Sequence, residues 1–280
     1  MNRTKIEWVK NPDSSQGYTW NPITGCLNGC PYCYARKLAN GRLRERYLAN
    51  SNVADISNRL RDPNSSLWDK VITDPFYPRF WEERLSDPYS YGRNFSDSGY
   101  KMHHHKGIFV CDMGELFGDW VPIEWQEKIF GVIKTCPQHR FYLLTKQPQN
   151  LIKFSPFPEN CWVGVTATDY EQYWNAIQGL CRIDAKVKYI SFEPLLRPIP
   201  IMLEPFRIRA INWSIIGAQT NPLKRPHPSW VKEITEAALQ ASITIFHKDN
   251  LKDVGILRIR LSDDQFKEVY GVDFRQELPK

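Results

Sequence analysis

The sequence predicts an α/β protein in which parallel strands alternate with helices and form a partial (β/α) barrel of six or seven strands, like an incomplete TIM barrel. Short apolar runs rich in β-branched and aromatic residues recur along the chain, and amphipathic segments separate them. The 280 residues are 42% hydrophobic, which is enough for one large domain over 1–280. Crossovers between parallel strands are right-handed by default.

The strand candidates are apolar runs of a length suited to buried parallel strands. The first lies at 18–23, and the others lie at 107–112, 141–145, 162–166, 187–192, 212–217 and 243–247. Helices are expected at 122–135, 169–181 and 228–241, where apolar residues recur on one face. Residues 41–106 interrupt this alternation and predict an insertion after the first helix, which would act as a lid.

Bulk composition excludes several classes of protein. No apolar stretch approaches the roughly 20 residues of a membrane helix, and the N-terminus lacks a signal-peptide core, so a cytoplasmic protein with no membrane partner is expected. Seven cysteines, an odd number, argue against a disulfide framework. The formal net charge of +6 is compatible with a polyanionic partner.

Three cysteines lie within eight residues, at Cys26, Cys30 and Cys33, in a C-x3-C-x2-C loop after the first predicted strand. A structural zinc site uses four ligands, whereas thiolates also favour iron–sulfur clusters. Three cysteines on a four-iron cluster leave one iron open for a small molecule. Pro31 suits the first turn of a helix that would run from the loop to Asn40.

This loop, with Tyr32 before its last cysteine, resembles the signature of radical S-adenosylmethionine (SAM) enzymes. The likeness extends to a phage-associated family of radical-SAM-like proteins of unassigned reaction. Its landmarks are Ile6-Glu7-Trp8, Thr19-Trp20-Asn21-Pro22-Ile23-Thr24-Gly25-Cys26, Ile108-Phe109-Val110, Leu116-Phe117, Leu144-Thr145-Lys146, Trp162-Val163-Gly164-Val165, Glu193-Pro194-Leu195-Leu196 and His227-Pro228-Ser229-Trp230.

The resemblance implies a [4Fe-4S] cluster on the three cysteines, SAM as a second cofactor and an external electron donor. In that chemistry the cleaved SAM yields a 5′-deoxyadenosyl radical. Met113, Gly114 and Glu115 match the motif that contacts the SAM amino group, which a carboxylate suits. The other expected SAM contacts are Tyr32, Thr166 and Gly217.

Loops at the carboxyl ends of parallel strands carry the chemistry of such folds, which selects three further residues. Glu193 follows the strand at 187–192, where it would bind SAM or substrate, or form a structural ion pair. Lys146 and Lys248 also follow strands, and either would pair with an anionic substrate or a nearby carboxylate. These three are the candidate catalytic residues.

A nucleic acid or nucleotide is the expected substrate, because the chain is basic and aromatic residues concentrate at 68–100. A small metabolite or a peptide is the rival enzymatic reading. A zinc or iron–sulfur interaction module without catalysis is the third. Salt-dependent affinity for DNA or RNA separates the first two.

Overall fold

A computed structural model gives the fold of this chain, and it describes residues 1–54, 73–90, 105–202, 204, 210–254 and 259–279. Much of the expected lid and of the aromatic segment at 68–100 lies outside these ranges, as do His103 and His104. The lid therefore stays a prediction for those stretches.

The chain divides into two compact units. The first comprises Met1–Lys5, Val9–Leu143 and Pro158–Asn160, and the second comprises Ile6–Trp8, Leu144–Phe157 and Cys161–Lys280. The single-domain organisation stays a prediction, and each unit is described by itself below.

The first unit contains strands β1 to β5 and most of β6. Their bounds are β1 Asn2–Arg3, β2 Tyr18–Trp20, β3 Ile23–Thr24, β4 Arg79–Phe80, β5 Gly107–Val110 and β6 Arg140–Thr145. The order in the main sheet is β1-β2-β5-β6, with β2, β5 and β6 parallel and β1 antiparallel to β2. The parallel strands predicted at 107–112 and 141–145 are confirmed as β5 and β6, and the one predicted at 18–23 is confirmed only as far as Trp20.

The first predicted strand is interrupted, because β2 ends at Trp20 and β3 pairs antiparallel with β4 instead. Pro22 has no backbone N–H for a ladder. The side chain of Asn21 turns to other partners, donating to Asp112 at 2.6 Å and accepting from the backbone N–H of Met113 at 2.9 Å. The chain therefore leaves the main sheet just before the cysteine loop.

The helices of the first unit are α1 Tyr34–Asn40, α2 Arg44–Leu48, α3 Asp87–Ser90 and α4 Ile123–Thr135, with a 3-10 turn at Glu82–Ser86. The expectation that Pro31 opens the first helix is wrong, because Cys33 is the N-cap of α1 and its thiol accepts from the N–H of Arg36. The thiol thus takes the position of a capping oxygen.

The second unit has a parallel sheet in the order β7-β8-β9-β12, with the strands Cys161–Thr166, Val187–Phe192, Trp213–Ile216 and Thr244–His247. Two small hairpins add β10 Gln219–Thr220 with β11 Leu223–Lys224, and β13 Asp253–Val254 with β14 Ile259–Arg260. Its helices are α5 Tyr170–Cys181, α6 Pro228–Gln240 and α7 Asp263–Tyr270, with 3-10 turns at Pro148–Phe154 and Asp249–Leu251.

The core of the second unit is aromatic. Trp213 lies within 6.0 Å, between ring centroids, of Trp8, Trp162 and Tyr189. All four side chains are buried, and edge-to-face or tilted contacts of this kind stabilise beyond the area they bury. The segment Ile6–Trp8 is thereby fixed on this unit.

The α/β class with parallel strands is confirmed in both units. Neither strand order returns to its first strand among the described residues, so the partial barrel stays a prediction. Within the same ranges, no helix combines the length and the apolarity needed to cross a membrane.

Candidate functional site

The cysteine loop is anchored by backbone contacts on both sides of Cys26. The N–H of Gly25 donates to the carbonyl of Met113 at 2.9 Å, and the N–H of Cys26 donates to the carbonyl of Phe76 at 3.0 Å. Gly25 has a φ of +90°, and a Cβ there would lie 2.5 Å from the carbonyl oxygen of Tyr77. Only glycine fits this conformation and this spacing.

The three thiols of the loop are free and half-buried. The Sγ of Cys26 accepts from the N–H of Asn28, and the Sγ of Cys33 accepts from the N–H of Arg36, both at 3.3 Å. Cys26 and Cys33 also pack against an apolar cluster formed by Ala35, Ala39, Tyr47, Phe76, Trp81 and Met113. Backbone donors aimed at sulfur suit a thiolate better than a thiol.

Burial raises the pKa of Cys26 to about 12, and the nearby charges of Glu115, Cys30 and Cys33 act in the same direction. The thiolate therefore needs a cation beside it at neutral pH. A metal ligand must lose its proton, and a bound metal cation compensates the charge of the thiolate.

No three His, Cys, Asp or Glu side chains within the described ranges are close enough together to hold a single metal ion. The three thiols are nevertheless near enough for the charges of Cys30 and Cys33 to affect Cys26. They are arranged as neighbours on one loop and do not converge on one point.

Met113, Gly114 and Glu115 lie directly against the cysteine loop, after β5. A Cβ on Gly114 would lie 3.0 Å from the carbonyl oxygen of Ile23 and 3.1 Å from that of Gly25, so the two backbones approach closely. The carboxylate of Glu115 is buried and accepts from the N–H of Phe117 at 3.0 Å and from the side chain of Asn28 at 3.2 Å. These hydrogen bonds fix the position of the carboxylate.

Arg36 stiffens the loop from α1. Its guanidinium donates to the carbonyl of Cys26 at 3.1 Å and to Asp74 at 3.2 Å, and it lies over the ring of Phe76. Tyr32, between the second and third cysteines, is half-buried. The loop is thus held by one charged side chain and by backbone contacts.

The second unit carries a separate polar group, called here the acid–lysine cluster, which consists of Glu7, Glu193 and Lys248. Lys248 forms an ion pair with Glu193, and the side chains are 12% and 22% exposed. Gly217 makes room for the pair, because a Cβ there would lie 3.0 Å from Lys248 and 3.2 Å from Glu193.

Charge in the acid–lysine cluster is compensated internally. Burial alone would lower the pKa of Lys248, but the carboxylates of Glu193 and Glu7 outweigh it and raise that pKa above its ordinary value. Burial raises the pKa of Glu7, against the opposing effect of Lys248. Glu7 also accepts from the N–H of Asp249 at 2.7 Å. Of the alternatives expected for Glu193 and Lys248, the structure shows the ion pair.

The remaining candidates lie at strand ends of the second unit. Thr166 is buried at the end of β7, Gly217 follows β9, and Lys146 is half-buried after β6. Asn250 fixes the turn after Gly217, since its side chain bonds both the N–H and the carbonyl of Ala218, at 2.9 and 2.8 Å. The roles expected of Thr166, Gly217 and Lys146 stay predictions.

Two residues of these sites escaped the sequence patterns. Glu7 lies far along the chain from Lys248, and its only signal was its place in the Ile6-Glu7-Trp8 landmark. Asn28 binds Glu115 across 87 positions, and its only signal was its place inside the cysteine loop. Of the four cysteines outside the loop, Cys111, Cys136 and Cys161 are buried, and Cys181 is exposed.

Residues 3–258 match the model of a family described as "Protein of unknown function (DUF5131)", and the chain belongs to this family. No curated protein and no solved structure matches it significantly.

Proposed function

We propose that this member of the DUF5131 family is a radical SAM enzyme whose [4Fe-4S] cluster is held by Cys26, Cys30 and Cys33. The observation that carries the proposal is a loop of three free, half-buried thiols with the buried carboxylate of Glu115 beside it. A four-iron cluster takes each cysteine on a different iron, so its ligands need not converge on one ion. The donor set fits such a cluster.

Each part of the loop has a task in this proposal. The N–H groups of Asn28 and Arg36 stabilise negative charge on the sulfurs of Cys26 and Cys33. Gly114 lets the segment after β5 pack against the cysteine loop, and Gly25 lets the loop pack against the carbonyl groups of Phe76 and Tyr77. When bound, the cluster and SAM supply the chemistry, namely one-electron cleavage of the sulfonium to a radical that abstracts hydrogen.

Glu115 is the proposed anchor for the amino group of SAM. Its carboxylate is fixed by Phe117 and Asn28, so little side-chain entropy is lost when an ammonium binds. Tyr32 is proposed as a packing surface for the same ligand. In the second unit, Lys248, Glu193 and Lys146 are the proposed polar groups for substrate binding or proton transfer.

The proposal also covers architecture and surroundings. We infer a partial (β/α) barrel, which the parallel strands of both units support. A cytoplasmic location is supported by the seven cysteines, all of which are free. A nucleic acid or nucleotide is the proposed substrate, supported by the net charge of +6, and an external donor would supply the electron.

The test is anaerobic reconstitution with iron and sulfide, followed by reduction with dithionite in the presence of SAM. Four irons per chain and formation of 5′-deoxyadenosine are expected. Cys33→Ser should abolish both, whereas Cys161→Ser should retain both, because Cys161 is a buried thiol of β7 and is not part of the cysteine loop.

Three outcomes would contradict the proposal. One is a protein that takes up one zinc per chain and no iron. Another is an iron–sulfur protein that binds SAM but never cleaves it. The third is a Cys161→Ser variant that loses iron as completely as Cys33→Ser.

A further inference from the structure

A cavity of about 510 Å³ lies in the first unit, on the side of α1 and α2. Its volume is within the range of about 300–1,000 Å³ that small-molecule sites occupy. The lining includes Tyr34 and Leu38 of α1, Arg46 of α2, and Arg84 of the 3-10 turn that follows β4. Every lining residue belongs to this one unit.

Three guanidinium groups line this cavity, from Arg42, Arg46 and Arg84. Arg42 and Arg46 are exposed, and neither forms an ion pair with a carboxylate in the described part of the chain. Burial and then the charge of Arg46 lower the pKa of Arg84, so these two cations act on each other. Glu83 and Asp87 offset part of this repulsion at Arg84, and an anion bound between the two arginines would offset more of it.

Trp81 holds two of the arginines in place. The Cζ of Arg84 lies 4.0 Å from the centroid of the indole ring, and the Cζ of Arg46 lies 5.7 Å from it. The guanidinium of Arg84 also donates to the carbonyl of Asn21 at 2.8 Å. Stacked and hydrogen-bonded guanidiniums are ordered before a ligand arrives, which lowers the entropy cost of binding.

The carboxylates of the cavity are already engaged or lie at its rim. Asp87 pairs with the terminal amino group of Met1. Asp112 accepts from the side chain of Asn21 at 2.6 Å and from the hydroxyl of Tyr34 at 3.2 Å. Glu83 is exposed. Arg42 and Arg46 are therefore the exposed cations of this lining that form no ion pair within the described ranges.

We propose that this cavity binds the phosphate group of a nucleotide-sized ligand through Arg42 and Arg46. Guanidinium forks match phosphate oxygens in pairs, and the half-exposed ring of Tyr34 offers a surface on which a base can stack. The volume accommodates a nucleoside monophosphate and far exceeds a bare phosphate ion.

The cavity is linked to the cysteine loop by named contacts. Met113 lines the cavity and belongs to the apolar cluster against which Cys26 and Cys33 pack. The indole N–H of Trp81 donates to the hydroxyl of Thr24 at 2.8 Å. The inference does not rest on the proposed function, because none of the arginines is a cluster ligand and binding needs no iron.

The test is calorimetric titration of the full chain with the four nucleoside 5′-monophosphates, the matching nucleosides and inorganic phosphate, in low salt without reconstitution. Arg46→Gln and Arg42→Gln should each weaken monophosphate binding about tenfold or more, as the loss of a charged hydrogen bond implies. Arg46→Lys should lose less, because it keeps the charge without the fork.

Arg44→Gln is the matched control. It makes the same charge change on the same helix, but Arg44 is exposed, bonds the carbonyl of Thr73, and is not one of the described residues that line the cavity. The affinity of the Arg44→Gln variant for the monophosphates should stay within twofold of that of the unsubstituted chain. Circular dichroism checks that each variant folds.

Four results would overturn the inference. Nucleosides could bind as tightly as their monophosphates, inorganic phosphate could bind as tightly as either, or Arg44→Gln could weaken binding as much as Arg46→Gln. The fourth is the absence of monophosphate binding at millimolar concentration in the unsubstituted chain.

Discussion

The cysteine loop and the acid–lysine cluster show two ways of keeping reactive groups in a protein. The thiols of the loop are half-buried, and burial raises the pKa of Cys26 to about 12, with the charge of Glu115 acting in the same direction. In the cluster, Lys248 lies between the charges of two carboxylates and is already compensated. Forming the thiolate of Cys26 is therefore unfavourable until a metal cation binds. In the acid–lysine cluster, Lys248 already balances the carboxylates.

This difference implies that substitutions in the acid–lysine cluster mainly change stability, whereas substitutions in and beside the cysteine loop mainly change ligand binding. Substitutions at Lys248, Glu115, His247 and the loop glycines test this difference.

Lys248→Met should lower the free energy of unfolding by about 3 kcal/mol, because it leaves Glu193 and Glu7 near each other without their cation. The double variant Glu193→Gln with Lys248→Met should be less destabilised than the sum of the single variants. Urea unfolding measures both. Lys267→Met is the control, since its ion pair with Asp273 is exposed, and a cost for Lys248→Met no larger than the control's would refute the prediction.

Glu115→Gln should weaken SAM binding about 30-fold while iron content stays the same, since one charge-assisted hydrogen bond contributes about 2 kcal/mol. The amide keeps the shape of the side chain and an acceptor for the N–H of Phe117. Equilibrium binding to the reconstituted protein measures the change. If Glu193→Gln weakened SAM binding as much as Glu115→Gln, the cysteine loop and the acid–lysine cluster would not differ in the way described.

His247 is a buried side chain that hydrogen bonds stabilise in its neutral form, without a charged partner. It is buried, accepts from the N–H of Arg275 at 3.1 Å and shares a hydrogen bond with Thr235, and burial lowers its pKa to about 3. The unfolded chain binds a proton near pH 6.5, but the folded chain does not. The stabilisation of the folded chain by neutral His247 is therefore complete above pH 6.5, and it is lost as the pH falls toward 3.

Lowering the pH from 7.5 to 5 should reduce the free energy of unfolding by about 2 kcal/mol. Urea unfolding at the two pH values gives the number. His247→Asn keeps an acceptor for Arg275 and removes the titration, so its stability should vary less with pH. An equal variation in both proteins would show that other groups are responsible.

Gly29→Ala should cost about 1 kcal/mol, because Gly29 has a φ of +68° but no atom within 4 Å of the added Cβ. Gly25→Ala should cost clearly more, since its Cβ would meet the Tyr77 carbonyl. Thermal unfolding compares the two. Equal costs would mean that backbone strain, and not the close packing of the loop, is what Gly25 relieves.

Local pattern was a good guide to the regular elements. The strands β8 and β9 were located to within a residue or so because buried parallel strands need continuous apolar runs. The strand at 107–112 ends early at Val110, where Cys111 takes a φ of +58°. Helix α7 was missed although Ser262 and Gln265 form a capping box.

Pairings across long sequence distances could not be predicted from one sequence. The break in the first strand depends on β4, which pairs with β3 across about 55 residues. Glu7 reaches Asp249 across 242 positions. The cavity arginines come from α2, from the residues just before it and from the turn after β4. Periodicity reports which face of an element is buried but not which distant side chain covers it.

The central claim, three sulfur ligands that leave one iron open, is tested most directly by electron paramagnetic resonance of the reduced, reconstituted protein with and without SAM. The account predicts that SAM changes the spectrum of the cluster, because the ligand binds the iron that Cys26, Cys30 and Cys33 leave free. A four-iron spectrum that SAM leaves unchanged at saturating concentration would contradict it.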